Sequence, residues 1–275
     1  MDIIPAVVLF VALLISTIID IRTREVPDLL SFSLVCFGIF YAIAKSLIML
    51  SWMPFLIMLV GLAAGLLVAV LMYYTGQWGG GDSMLIMGVG SVIGLWFEHP
   101  DFLTFLVNLL IGGAVYGIFW SIGLAIKHRK TFFSALHAYT STPRMLRIRV
   151  SVLILVIILL ACAFLLLHDT ARLILIACTA VLYVLYILLI FTRLIERTIM
   201  IVALPVRKLT EGDWLAEEIL VQGKRIGKTG VTKQQIALLK KKRKTVLVKI
   251  GIPFVPSFLI ALLAYLALGN WLVLW

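Results

Sequence analysis

Acidic residues are scarce in this chain, 13 Asp plus Glu among 275 residues against 24 Lys plus Arg, so the placement of each one is informative. Asp20 closes the apolar run Ala6 to Ile19. Asp82 follows Gly79-Gly80-Gly81 directly and precedes a second apolar run. Two carboxyl groups that meet in a partly desolvated site cannot both ionise easily; they share a proton and titrate in two separated steps. One then acts as a base on a water held between them, and the other as an acid toward the carbonyl or departing amine of a peptide. That chemistry calls for no metal and no cofactor. The three glycines remove side chains next to Asp82, so that an extended peptide can approach its backbone closely. Extension matters because a helical peptide hides its carbonyl groups from attack. Taken singly, either aspartate could instead cap or solvate a helix end: Asp82 precedes Ser83 at a plausible N-cap position. Asp28, after Pro27, reads best as an N-cap.

The elements that carry these residues follow from composition. The chain is 63% hydrophobic and 13% charged, whereas soluble domains run at about 45–50% apolar and about 25% charged. An ordinary water-soluble protein is excluded, and an all-α polytopic membrane protein is expected. A span takes about 20 apolar residues, and apolar runs lie at 3–21, 29–49, 54–74, 83–99, 102–126, 150–167, 172–191 and 252–275. These are eight candidate transmembrane helices. The first has no Lys or Arg before Arg22 and no small-residue cleavage site, so it reads as a retained span and not a secretory leader.

With the N-terminus outside, the inner segments are 22–28, 75–82, 127–149 and 192–250, and they hold all of the 24 basic residues except Lys45 and Arg172. Basic residues concentrate on the cytoplasmic side, which fixes the orientation. Span one then ends, and span four begins, at the cytoplasmic face, so Asp20 and Asp82 fall at the same depth. The net charge of +11 has the same origin, and no motif of nucleic-acid recognition accompanies it. Cys36, Cys162 and Cys178 all lie in apolar runs without a CxxC pair, which gives neither a zinc site nor a disulfide framework.

The expected organisation is a five-helix catalytic membrane region at 1–126, a basic loop at 127–149, two further helices at 150–191, a basic cytosolic segment at 192–250 and a last helix at 251–275. Gly61/Gly65, Gly90/Gly94 and Gly113/Gly117 have the spacing that lets neighbouring helices approach. Spans six to eight lack such pairs, so spans one to five read as the packed half. In 192–250, Thr210 before Asp213 and Thr232 before Gln235 both read as capped helix starts. Ile219 to Val231, with Gly223, Gly227 and Gly230, reads as a turn or short hairpin. Lys240 to Lys244 reads as a solvated stretch or one facing anionic lipid.

The run Asp20-Ile-Arg22-Thr-Arg24-Glu-Val26-Pro27-Asp28, followed by Gly79-Gly80-Gly81-Asp82, resembles the type IV prepilin and preflagellin peptidases, membrane aspartyl proteases with a GxGD motif. That likeness covers about the first 125 residues. Leu204 to Ile219 and Gly251 to Ser257 are similar to the C-terminal region of archaeal members. The resemblance implies that Asp20 and Asp82 are the catalytic pair. It also implies as partner a prepilin or prearchaellin precursor with a class III-type signal peptide, cut at the cytoplasmic face of the lipid bilayer. Two departures stand out. Asp28 occupies a position where the family often has Asn, and the paired CxxC loop of bifunctional bacterial members is missing, so no N-methyltransferase activity is expected.

A basic leader approaching a basic face needs local acids. Glu25 and the group Glu211, Asp213, Glu217 and Glu218 are the candidates, the latter four having as their alternative the stabilisation of a helix start. Pro253 and Pro256 read either as helix entry or as an irregular segment offering backbone groups to substrate. Functions of other classes remain as rivals: a transporter or proton relay using boundary carboxylates, and an inactive relative with an assembly role. A presenilin-like protease fits less well, since the Tyr-Asp pair and the Pro-Ala-Leu motif are absent.

Overall fold

The computed structural model describes residues 2–274 apart from 97, 99, 167, 222, 223 and 227–229. In chain order the elements are α1 (Ile3–Thr23), α2 (Asp28–Met49), α3 (Met53–Tyr74), α4 (Gly80–Ile93), α5 (Asp101–Lys127), α6 (Arg129–Thr140), α7 (Pro143–Leu166) and α8 (Asp169–Thr198). Then come β1 (Ile201–Pro205), β2 (Trp214–Leu215), β3 (Ile219–Val221), β4 (Lys224–Ile226), α9 (Lys233–Lys242), β5 (Thr245–Lys249) and α10 (Val255–Leu268), with short 3-10 turns at Val206–Lys208 and Trp271–Leu274. Six helices, α1, α2, α3, α5, α7 and α8, are long and apolar enough to cross a membrane, and α4 and α10 are shorter apolar helices. The chain is a multi-pass, mostly helical membrane protein.

Between helices in lipid there is little hydrophobic drive, so association depends on close backbone approach. Helix α4 shows this most clearly. A Cβ on Gly61 of α3 would fall 2.4 Å from the Gly90 carbonyl oxygen, and one on Gly90 would fall 2.4 Å from that of Gly61. On its other side, a Cβ on Gly88 would stand 2.8 Å from Cβ of Leu34 in α2. The short helix is thereby sunk between two long ones, with Leu85, Ile86 and Val89 fully buried. It stops at Gly94, whose φ of 75° ends the helical path.

The third glycine pair behaves differently. Gly113 meets Phe254 of the C-terminal segment, 3.1 Å from where its Cβ would lie, while Gly117 has nothing within 4 Å. This corrects the reading that confined the packed half to spans one to five. Helix α10 belongs to the same core, where Val255, Phe258, Ala261 and Leu262 join Leu9, Leu13, Phe102 and Phe105. Helices α7 and α8 pack on each other and leave most of their apolar surface outward, as lipid-facing helices do. At the far end of the bundle Lys45 and the Tyr41 hydroxyl both bind Asp2. Those two hydrogen bonds, the Lys45 one first, hold the Asp2 carboxyl below the usual carboxylate range.

The segment 192–250 carries structure that the apolar runs did not announce. Helix α8 continues to Thr198, and 201–205 forms strand β1, paired antiparallel with β5 from Ile201 opposite Lys249 to Pro205 opposite Thr245. Strand β2 pairs with the other edge of β5. Strand β5 alternates, with Val246 and Val248 buried against Leu209, Leu215, Ile236 and Leu239 and the residues between them outward. The expected hairpin is present as β3 and β4; Gly223 and Gly227 lie outside the described residues. Thr232 and Gln235 form a reciprocal capping box at the start of α9, at 3.3 and 2.9 Å. Thr210, by contrast, starts no helix: its N–H donates to Asp213 Oδ2 at 2.8 Å and closes a turn through Gly212 at φ 97°. The loop 127–149 is largely helical, in α6 and the first turns of α7.

Candidate active site

Asp20 lies in the last turn of α1, only 4% exposed. Helix α1 ends at Arg24, whose left-handed backbone (φ 60°) returns its N–H to the Asp20 carbonyl at 2.8 Å. Two further bonds tie this end to the C-terminal segment. The Val255 N–H donates to Asp20 Oδ2 at 2.9 Å, and the Arg24 guanidinium donates to the Gly251 carbonyl. The buried carboxyl is thus gripped by the first turn of α10, a region far away in sequence.

Asp82 comes from α4. Gly79 is the N-cap in extended backbone, φ −71° and ψ 168°, so Gly80, Gly81 and Asp82 fill the first three helical positions. Asp82 is therefore not the N-cap but the third residue, half-buried. Its carboxyl turns back toward the helix start, with Oδ2 4.0 Å from where a Gly79 Cβ would lie. At Gly81 a Cβ would fall 2.8 Å from Cβ of Val26 and 3.3 Å from its backbone nitrogen. The loop joining α1 to α2 thus lies directly on the glycine run, which draws the end of α1 and the start of α4 together. Behind the glycines, Trp78 packs on Phe254 and Phe258, with ring centroids 5.5 and 5.7 Å away, and fixes α4's entry against α10.

The other sequence candidates scatter. Asp28 is the first residue of α2 with Pro27 as N-cap, which corrects its N-cap reading. Glu25 is exposed in the loop after α1. Glu217 and Glu218 are exposed between β2 and β3, where no helix exists for them to stabilise, so the helix-start alternative is set aside. Strand β2, just before them, does reach the site's surroundings: the Trp214 ring stands 3.7 Å from where a Cβ of Gly76 would lie, in the turn leading to Gly79. Pro253 and Pro256 are buried, and Pro256 sits in the first turn of α10. Of the two N–H groups between them, that of Val255 is taken by Asp20 and is not free for another ligand.

Several polar groups at the site escaped the sequence reading. Ser16 and Thr17, one turn before Asp20, and Ser83, next to Asp82, are buried with no hydrogen-bond partner among the described residues. The Tyr116 hydroxyl and Trp120 indole N–H on α5 are in the same condition, and Tyr116 lies one turn beyond Gly113, which approaches Phe254 of the C-terminal segment. A lone Tyr and Trp within an apolar run give no signal by themselves; their spacing of four, on one helix face, was the only available hint. Among the described residues no group of three or more His, Cys, Asp or Glu is placed to hold a metal ion.

What the arrangement offers is two carboxyls from two helices, at the same end of the bundle, beside a backbone stripped of side chains. Residues 7–121 match the model of the type IV leader peptidase family. No curated protein and no solved structure matches the chain.

Proposed function

We propose that this chain, a member of the type IV leader peptidase family through residues 7–121, is a membrane aspartyl endopeptidase that cuts the short basic leader from prepilin-type precursors, prearchaellins included, at the cytoplasmic face. The observation that carries this reading is the placement of Asp20 and Asp82, in the last turn of α1 and the first turn of α4, at the same end of the bundle where the α1–α2 loop lies on Gly79-Gly80-Gly81. With one proton shared between them, the ionised carboxylate takes a proton from a water, and the hydroxide attacks the scissile carbonyl carbon. The other carboxyl, as the acid, supports the developing oxyanion and delivers its proton to the departing amine as the C–N bond breaks. The proton count closes: one comes from water, one goes to the amine, and the pair again holds one.

The direct test is purified protein mixed with a synthetic prepilin in EDTA. Shortening of the precursor by its leader is expected, and an intact precursor overturns the reading.

The orientation rests on charge asymmetry, so it has its own test. In a background lacking Cys36, Cys162 and Cys178, which are free, cysteines placed at Trp52, Pro100 and Thr170 should react with an impermeant reagent added outside. Those at Thr23 and Ala138 should not. The opposite pattern puts the aspartates on the wrong face for a leader that has not yet been exported.

Glu217 and Glu218 are proposed as contacts for the basic leader, supported by their exposure just after β2, whose Trp214 approaches Gly76. Glu217→Gln/Glu218→Gln should raise KM several-fold for a leader with Lys or Arg beside the cleavage site, and change it little for a neutral leader; surface ion pairs are each worth about 0.2–1 kcal/mol. Equal losses on both leaders would remove these residues from recognition.

A further inference from the structure

Tyr116 and Trp120 present a problem the fold does not solve. Their rings lie side by side on α5, centroids 5.8 Å apart. The phenol oxygen and the indole nitrogen are both shielded, without a hydrogen-bond partner among the described residues. An indole N–H can only donate, and a phenol hydroxyl donates readily. Polar groups held away from water without partners are costly, and a bilayer offers no water to relieve them. Two such groups, one turn apart on one helix face, point to a partner from outside the chain.

Their position narrows what that partner is. Gly113, one turn earlier on α5, touches Phe254, the neighbour of Val255 that holds Asp20. Tyr116 therefore lies one turn beyond the contact of α5 with the C-terminal segment that holds the aspartate, and Trp120 one turn further toward the Lys127 end of α5. Gly117 between them meets no atom within 4 Å of its Cβ position, so the space beside the pair is not filled by the protein. Four helical residues advance about 6 Å. Carbonyls on one edge of an extended peptide recur about every 6.6–6.8 Å. The two donors thus match the spacing of successive same-edge carbonyls of an extended chain.

We propose that Tyr116 and Trp120 bind the precursor itself, donating to two backbone carbonyls of its extended segment as that segment crosses from the leader toward Asp20. This rests on the peptidase reading above. A donor pair aimed at the backbone is indifferent to the side chains of the precursor, so it holds the register of the peptide and leaves sequence preference to other contacts.

The test uses Tyr116→Phe and Trp120→Phe in the full-length protein, with cleavage kinetics and thermal melting measured on the same preparations. Loss of one neutral hydrogen bond made equally in ground and transition states raises KM, by about 3- to 10-fold, and leaves kcat near wild type. The double variant should show close to the product of the two effects. Because the Tyr116 hydroxyl has no hydrogen-bond partner to lose among the described residues, Tyr116→Phe should melt at or above the wild-type temperature. A structural role predicts the reverse, a lower melting temperature with kcat and KM falling off together, and that result overturns the proposal. Unchanged KM in both single variants of an active enzyme also overturns it while leaving the peptidase reading intact. Wild-type protein that cleaves no precursor removes both. Should Trp120→Phe fail to fold, Tyr116→Phe alone decides.

Discussion

Asp20→Asn and Asp82→Asn should each lower kcat by roughly 10²- to 10⁴-fold, the range that positioned proton transfer supplies, while leaving the protein folded. The reason for expecting so clean a separation lies in the surroundings of Asp20. An asparagine keeps an oxygen that accepts the Val255 N–H, now 2.9 Å from the carboxyl, so α10 remains anchored while the exchangeable proton is gone. Asp20→Ala is a different experiment: it strands a buried N–H, which costs about 1–3 kcal/mol, and should lower the melting temperature as well as activity. Asp28→Asn should retain much of its activity, because Asp28 lies exposed at the first position of α2. Cleavage assays paired with melting curves distinguish these outcomes, and substantial turnover by Asp20→Asn or Asp82→Asn would refute the assignment of the pair.

The largest expected effect on stability comes from a single methyl group. Gly90→Ala places a Cβ 2.4 Å from the Gly61 carbonyl oxygen, and Gly61→Ala places one 2.4 Å from that of Gly90 and 2.6 Å from the Gly94 Cα. All three obstacles are backbone, so no rotamer change relieves them and α3 must part from α4. Overpacked cores typically lose about 1–3 kcal/mol; a clash of backbone with backbone belongs at or above the upper end. Gly117→Ala is the matched control. It meets nothing within 4 Å and should be neutral or gain up to about 1 kcal/mol from helix propensity. Melting of the three variants in one detergent tests this, and a Gly90→Ala protein as stable as Gly117→Ala would show that α3 and α4 are less closely packed than described. Since α4 carries Asp82, the destabilised variants should lose cleavage in step with their folded fraction.

Much of this was legible in the chain because bilayers impose simple rules. All eight apolar runs became helices, six of them long enough to cross a membrane and two, α4 and α10, shorter, and the glycines of α3 and α4 announced their contact by spacing alone. Asp20 and Asp82 were conspicuous because carboxyls are rare among so many apolar residues. What stayed hidden has a common cause. The pairing of β1 with β5 joins segments separated by α9, and periodicity within either strand says nothing about its partner. Thr210 and Asp213 carry the same spacing as a helix cap, but a turn closed by the Asp213 carboxylate uses that spacing too. Val255 is invisible as a site residue because it acts through a backbone N–H that every residue but proline possesses. Helix α10 has no paired glycines of its own; it borrows Gly112 and Gly113 of α5 to come close.

The bond from Val255 to Asp20 spans 235 residues of chain, and that separation has a meaning in time. At about 5–20 residues per second, a ribosome delivers Val255 roughly ten to fifty seconds after Asp20. Through that interval α1 through α5 sit in the membrane with the Asp20 carboxyl lacking its backbone donor, and with Trp78 lacking the two phenylalanines it stacks on. The nascent enzyme therefore passes through a stage in which both aspartates are present but the surfaces of α1 and α5 on which α10 packs are still bare. Activity should appear only when α10 closes it, which makes maturation of this protease a late event in its own synthesis and leaves little opportunity for a half-made copy to cut passing precursors.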